Sequence, residues 1–221
     1  MPPTPTPPDW PIPKLTLRVE DLDHPGAKLF FDSVDPTRVL HDAVAAVFTW
    51  LYITRANAPD HVASIELVLR PMDGVAHCTG THTAKEIHLS LQHVLNSSAR
   101  AADEIRGVLT HETVHCFQHN ANGTCPGGLI EGIADYVRLR AGFVPPHWTR
   151  TGGARWDAGY QTTGYFLGWL ETRYGDGTVA ELNAALKDVD WDERVFKGVT
   201  GRKVGKLWRM YCEELEGGVV I

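Results

Sequence analysis

The sequence predicts an α+β fold: a mixed sheet with helices in the N-terminal part, and an almost wholly helical C-terminal part. Three observations predict it. Stretches that alternate apolar and polar residues, the pattern of half-buried strands, all lie before residue 92. Beyond that point apolar residues recur at helical spacing. With 221 residues, 43% hydrophobic and 22% charged, the chain has an ordinary globular composition and the length for one large domain or two small lobes.

Residues 1–13 are rich in Pro and Thr and read as an extended tail. Residues 14–221 read as one domain, with an upper lobe over about 14–120 and a lower helical lobe over about 121–215. Residues 15–20, Leu-Thr-Leu-Arg-Val-Glu, alternate as a half-buried strand does. Asp35-Pro36 opens a helix, with Asp at the N-cap and Pro at the first helical position. That helix runs to about residue 54 and turns Val39, Ala43, Val47, Trp50 and Leu51 inward. Residues 62–70 form a second strand, stopped by Pro71. Residues 78–83 read as a loop. Residues 85–91 alternate again, with Ile87, Leu89 and Leu91 on one side, as a strand whose edge is free beside the next helix. His88 faces the other way and is a candidate for a cleft wall.

Ser97 or Ser98 caps the following helix, Asp103 and Glu104 suit its opening turns, and Ile105, Val108 and Leu109 give it a buried face. It breaks by Asn120-Ala121-Asn122-Gly123. A turn-rich link over 121–128 leads to a helix that ends near residue 141, with Gly142 as its C-terminal cap. A Gly- and Trp-rich loop begins at Pro145-Pro146-His147-Trp148. Helices follow over 156–174, 179–187 with Thr178 as cap, 191–196 and 203–214.

Net charge is −6 with a pI near 6.0, and no basic run occurs, which argues against a nucleic-acid or anionic-membrane partner. No apolar run approaches the roughly 18 residues of a membrane-spanning helix. The first residues show neither the basic nor the apolar region of a signal peptide, and the compartment stays open. Cys78, Cys116, Cys125 and Cys212 contain no C-x-x-C pair and read as reduced, buried thiols. Cys116 and Cys125 bracket the loop after the helix, which makes them the pair to inspect. Asn96 and Asn122 begin glycosylation sequons, which matter only in the secretory pathway.

The chemistry is carried by His111-Glu112-Thr113-Val114-His115. On a helix, residues four apart differ by about 40° around the axis, so both imidazoles leave one face and can meet on one metal ion. Glu112 lies one step round. It is poorly aimed at the same ion but can reach a water on it, as a general base does. Sixteen residues after His115 comes Glu131, and Asp135 follows four later, so both carboxylates share a helix face among apolar neighbours. In two-His, one-Glu zinc sites the Glu completes the protein ligands, and a further carboxylate holds a ligand His by its other ring nitrogen. The Gly127-Gly128 turn, read as letting this helix start close to the first, favours Glu131, the earlier carboxylate, as ligand. His119 is about 12 Å along the axis from His111 and cannot share a tetrahedral zinc with it. Gln118 and Ala121 stand where a metzincin needs Gly and His. The expectation is one zinc per chain, a peptide or protein substrate lying between the lobes, and an oxyanion donor drawn from Tyr160 first, then Tyr165 or His119.

The runs GVLTHETVHCFQHN, PGGLIEGIADYVRLRAGFVPPHW and RWDAGYQTTGYFL resemble the plant basic secretory protein family, also called the peptidases of plants and bacteria. The resemblance spans roughly residues 15–215 and is densest over 107–170. It implies a zincin-like fold with an active-site cleft between the two lobes and gluzincin-type zinc endopeptidase chemistry. It also implies His111, His115 and Glu131 as metal ligands, Glu112 as general base, and Asp135 outside the ligand set, hydrogen-bonded to a ligand His, with His111 the first candidate. This chain departs from the family in being acidic, so substrate preference and compartment do not carry over. Two rivals share the metal: a zinc hydrolase tailoring a small molecule or peptide in biosynthesis, and a non-catalytic zinc-binding protein linked to defence. Glu112 argues against the last, because a structural zinc has four protein ligands and no use for a base.

Overall fold

The computed structural model describes residues 9–217. The first eight residues of the predicted tail, and residues 218–221 of the predicted domain, lie outside that span. Residues 9–13 form neither helix nor strand; Trp10 and Ile12 pack on the core, and Trp10 meets Phe48 at a ring separation of 5.6 Å.

Among the described residues one mixed sheet forms, in the order β1-β2-β4-β3: β1 (Lys14–Val19), β2 (Ser64–Arg70), β3 (Ala76–Gly80) and β4 (Ala84–Ser90). β1 and β4 run parallel to the central β2, while β3 pairs antiparallel with β4 in the register Cys78 opposite Ile87. Ile65, Leu67, Ile87 and Leu89 are fully buried, as the alternation required. The stretch expected as a loop therefore contains most of β3. It was illegible because Ala-His-Cys-Thr-Gly lacks an alternating apolar face. It is a strand because the turn at Thr81, whose N–H donates to the Ala84 carbonyl at 2.8 Å, brings it back along β4. The edge expected of residues 85–91 is thus covered, and β3 is the edge strand on that side, with β1 at the opposite edge.

The helices are α1 (Pro25–Ser33), α2 (Pro36–Leu51), α3 (Leu91–Asn96), α4 (Ala101–Phe117), α5 (Gly127–Arg140), α6 (Tyr160–Tyr174), α7 (Thr178–Ala185), α8 (Arg194–Thr200) and α9 (Val204–Glu216). Asp35 caps α2 as predicted, accepting from the Arg38 N–H at 2.7 Å. α1 has no counterpart in the sequence reading. Its cap is His24, whose Nδ1 accepts from the Gly26 N–H at 3.0 Å, and histidine is an uncommon cap. Ser97 and Ser98 do not cap α4. Ser90 caps α3 instead, and a 3-10 turn over Ser98–Arg100 leads into α4 without a side-chain cap. Thr178 is likewise the first residue of α7, behind Gly177, and not its cap.

α4 is buried on nearly every side. α2 covers one flank: Phe48 and Phe117 meet edge-on at 4.8 Å, and the Tyr52 hydroxyl donates to the Phe117 carbonyl at 2.6 Å. α5 covers another flank, and α6 packs on α5 through small residues. A Cβ on Gly132 would come within 2.2 Å of Thr163, and one on Gly164 within 3.1 Å of Asp135. Gly128 serves the same approach and not the approach to α4: its Cβ would lie 1.9 Å from the Asp157 carbonyl oxygen, in the segment before α6. No described helix is long and apolar enough to cross a membrane.

Candidate metal centre

α4 presents His111 and His115 on one face, their rings 4.9 Å apart and nearly perpendicular. α5 brings Glu131 and Asp135 against them. Asp135, only 2% exposed, sets its Oδ1 2.6 Å from His111 Nδ1. A carboxylate only accepts, so Nδ1 carries the hydrogen and Nε2 of the neutral ring keeps its lone pair. That Nε2 lies 3.1 Å from Glu131 Oε2 and 3.2 Å from His115 Nε2. Gln118 stands 2.8 Å from His115 Nδ1, with its Oε1 otherwise buried and without a partner. An amide turned so that Oε1 accepts from Nδ1–H satisfies both groups and frees the His115 Nε2 lone pair as well. With both rings neutral, as a bound metal ion requires, His111 Nε2, His115 Nε2 and a Glu131 oxygen form three converging electron-pair donors. They lie within 4.8 Å of one another, a group that could hold a metal ion.

The electrostatics agree with that donor set. Burial alone would lower His111, but its bonds to Asp135 and Glu131 and the charges of Asp135 and Glu112 raise it to about 9. Burial and the neighbouring His111 charge push His115 down to about 4. Glu131 is held below the usual carboxylate range by its bond to His111. The pocket thus favours positive charge between these atoms, and a divalent ion with two imidazole nitrogens and one carboxylate fits it. Burial raises Glu112 to about 7; His111 opposes this, and Glu131 and Asp135 add to it. The Cys78 main chain faces this carboxylate and works against the rise, so β3 and α4 meet at Glu112.

A cavity of about 940 Å³ opens in front of these groups, walled by Ala76, His77 and Cys78 of β3 on one side and by Ile130, Tyr160 and Gln161 on another. Tyr160 is 60% exposed at the start of α6, with φ +46 behind Gly159, and its ring stacks parallel to His111 at 6.3 Å. A non-glycine residue in the left-handed region is sparsely populated backbone of the kind held at functional sites. The Glu131 charge is the main cause that raises its phenol, keeping it a donor.

The structure thus brings together His111, Glu112, His115, Glu131, Asp135 and Tyr160. It does not bring in the other two oxyanion candidates. Tyr165 lines a separate hollow beside Arg150, and His119 packs edge-on against Tyr52. His88 is buried, stacked on His77 and bonded to Glu86 at 3.0 Å. Three features escaped the sequence reading. Gln118 is one; its position three residues after His115 on the same face was the available signal. Another is the buried network of Glu104, Arg138 and His93 at the far end of the cavity, with Arg138 also over Trp148. No local pattern links those residues. The third is Cys78, whose strand went unread.

A family model described as peptidase of plants and bacteria matches residues 12–211. Neither a curated protein nor a solved structure matches the chain. With all but the two ends covered by that match, the chain belongs to the basic secretory protein family, the peptidases of plants and bacteria.

Proposed function

We propose that this chain is a zinc-dependent endopeptidase of the gluzincin type, with a zincin-like fold and its active-site cleft between the two lobes expected from the sequence. The observation that carries the reading is the convergence of His111 Nε2, His115 Nε2 and a Glu131 oxygen beside a buried carboxylate, Glu112, that is not among them. Three protein ligands with a free carboxylate nearby is the composition of a catalytic site; a structural one closes with four.

When bound, zinc supplies Lewis acidity towards a carbonyl oxygen and towards water. The remaining work falls to the chain's own groups. Glu112, raised by burial to about 7, takes the proton of the attacking water at its carboxylate and returns it to the leaving amine. The Tyr160 hydroxyl donates to the oxygen on which negative charge develops. Asp135 holds His111 in one tautomer through its 2.6 Å bond, and Gln118 does the same for His115. β3 is an edge strand and walls the cavity, so its outer main-chain groups can pair with an extended peptide, giving affinity with little demand on sequence.

The test is a peptide-library digest with the zinc-loaded chain, run beside a chelated sample. Cleavage at internal bonds that stops on chelation and returns with zinc is expected. A zinc-loaded chain that leaves the library and an unfolded protein intact would return the reading to a binding or small-molecule role.

A further inference from the structure

Cys78 of β3 and Cys116 of α4 face each other with their sulfurs 3.6 Å apart, and all four cysteines are free thiols. The pair suggested by the sequence, Cys116 with Cys125, is not the one the fold brings together. Cys125 is half-buried, and no sulfur contact joins it to Cys116 among the described residues. From the geometry we infer that Cys78 and Cys116 are a modification site: in an oxidising environment they join as a disulfide that staples the edge strand to the helix bearing the metal ligands.

The separation is van der Waals contact, about 1.5 Å beyond the roughly 2.05 Å of a sulfur–sulfur bond, a gap within reach of side-chain rotation. The two thiols are unequally placed. Cys116 is 3% exposed, whereas Cys78 is half-buried on the cavity wall, where a small molecule has access. The contact with Cys116 also lowers the Cys78 thiol, which favours it as the attacking sulfur.

The oxidant is a low-molecular-weight disulfide such as oxidised glutathione. The Cys78 thiolate attacks one of its sulfurs, forms a mixed disulfide and expels one thiolate, which takes up the proton Cys78 gave up. The Cys116 sulfur, losing its own proton, then attacks Cys78 Sγ and expels the second thiol. Two protein thiols are oxidised by two electrons, and one small disulfide is reduced to two thiols.

The consequence is local. The Cys78 main chain faces the Glu112 carboxylate, and Cys116 follows His115 in sequence. The link therefore fixes β3 against the segment of α4 that carries the site. It does so whether or not the chain cleaves peptides, so the inference stands apart from the function proposed above.

The experiment is incubation of the full chain with oxidised glutathione, then alkylation of the remaining thiols, proteolysis without reduction and mass analysis. The expected result is one linked peptide pair joining Cys78 to Cys116, two hydrogens lighter than its parts, with Cys125 and Cys212 alkylated. The oxidised chain should melt higher than the reduced chain by on the order of 10 °C, because the link closes a long loop in the unfolded state. Cys78→Ser and Cys116→Ser should each abolish that shift, while Cys125→Ser keeps it. Alkylation of both Cys78 and Cys116 after full exposure to oxidant would overturn the inference, and so would a link to Cys125 or Cys212, or glutathione retained on Cys78 alone.

Discussion

Replacing Asp135 with Asn removes a charge and leaves a hydrogen-bond acceptor in almost the same place. The Asp135 carboxylate sits 2.6 Å from His111 Nδ1 and is nearly inaccessible, so its bond is short, charge-assisted and unshared with water. It also cannot retreat, because Gly164 packs so close that a Cβ there would lie 3.1 Å from the Asp135 Cβ. In Asp135→Asn the amide oxygen still accepts from Nδ1–H, so the tautomer survives, but the negative charge that makes the ring a better donor is gone. Losses of this kind weaken a metal site by about 10–100-fold, or about 1.4–2.8 kcal/mol. Glu131→Ala is different in kind: it removes one of three donor atoms and leaves two imidazoles, so the site should be nearly empty at micromolar metal. Zinc titration of parent and both variants against a chromophoric chelator, at one pH, separates the cases. Zinc lost outright from Asp135→Asn, with near-parent affinity in Glu131→Ala, would reverse the two roles.

Other expectations follow from particular contacts. Tyr160→Phe should bind zinc as the parent does and lower kcat by about 10²-fold with little change in KM; an unchanged kcat would mean that its hydroxyl does not meet the oxyanion. Gly132→Ala puts a methyl group 2.2 Å from Thr163 and should cost about 2 kcal/mol, read as a Tm lower by about 4–8 °C; a parent-like Tm would show that α5 and α6 separate freely. Glu104 supplies a pH dependence. Burial raises its carboxyl, but the bond to His93 and the charges of Arg138 and Arg100 outweigh it and bring the group down to about 2. A folded-state value below the usual 4.5 means stability that is present above pH 4.5 and lost as pH falls through 2. The side chain is 12% exposed, so the contribution is on the order of 3 kcal/mol. Denaturant unfolding of Glu104→Gln across that range should lose less stability with acid than the parent does; parallel curves would deny Glu104 the role.

The candidate metal centre was legible because its spacing is local. His111 and His115 share a helix face by geometry alone, and so do Glu131 and Asp135. The α2 boundary was legible for the same reason, since Asp35 and Pro36 act within one turn. What the sequence hid depends on approach between distant segments. β3 exists because β4 pairs with it, and without β3 neither the edge strand nor the Cys78–Cys116 contact can be read. Gly127-Gly128 looked like a device for bringing α5 to α4, whereas Gly128 admits the backbone before α6 and so sets Tyr160 over His111. The exposure of Tyr160 has the same origin: helical periodicity cannot distinguish a core aromatic from one at the first turn of a helix that faces a cavity. His24 as a cap, and the burial of Glu104 against Arg138, are likewise products of tertiary packing.

The most direct measurement is the paired assay of parent and Glu112→Gln, each loaded with zinc, its metal content determined, and then given the same cleavable peptide. The account predicts one zinc per chain in both, cleavage by the parent, and a rate in Glu112→Gln lower by about 10²–10⁴-fold, because the substitution removes a base and no ligand. Glu112→Gln cleaving at the parent rate with its zinc in place, or a parent that holds no transition metal at all, would contradict it.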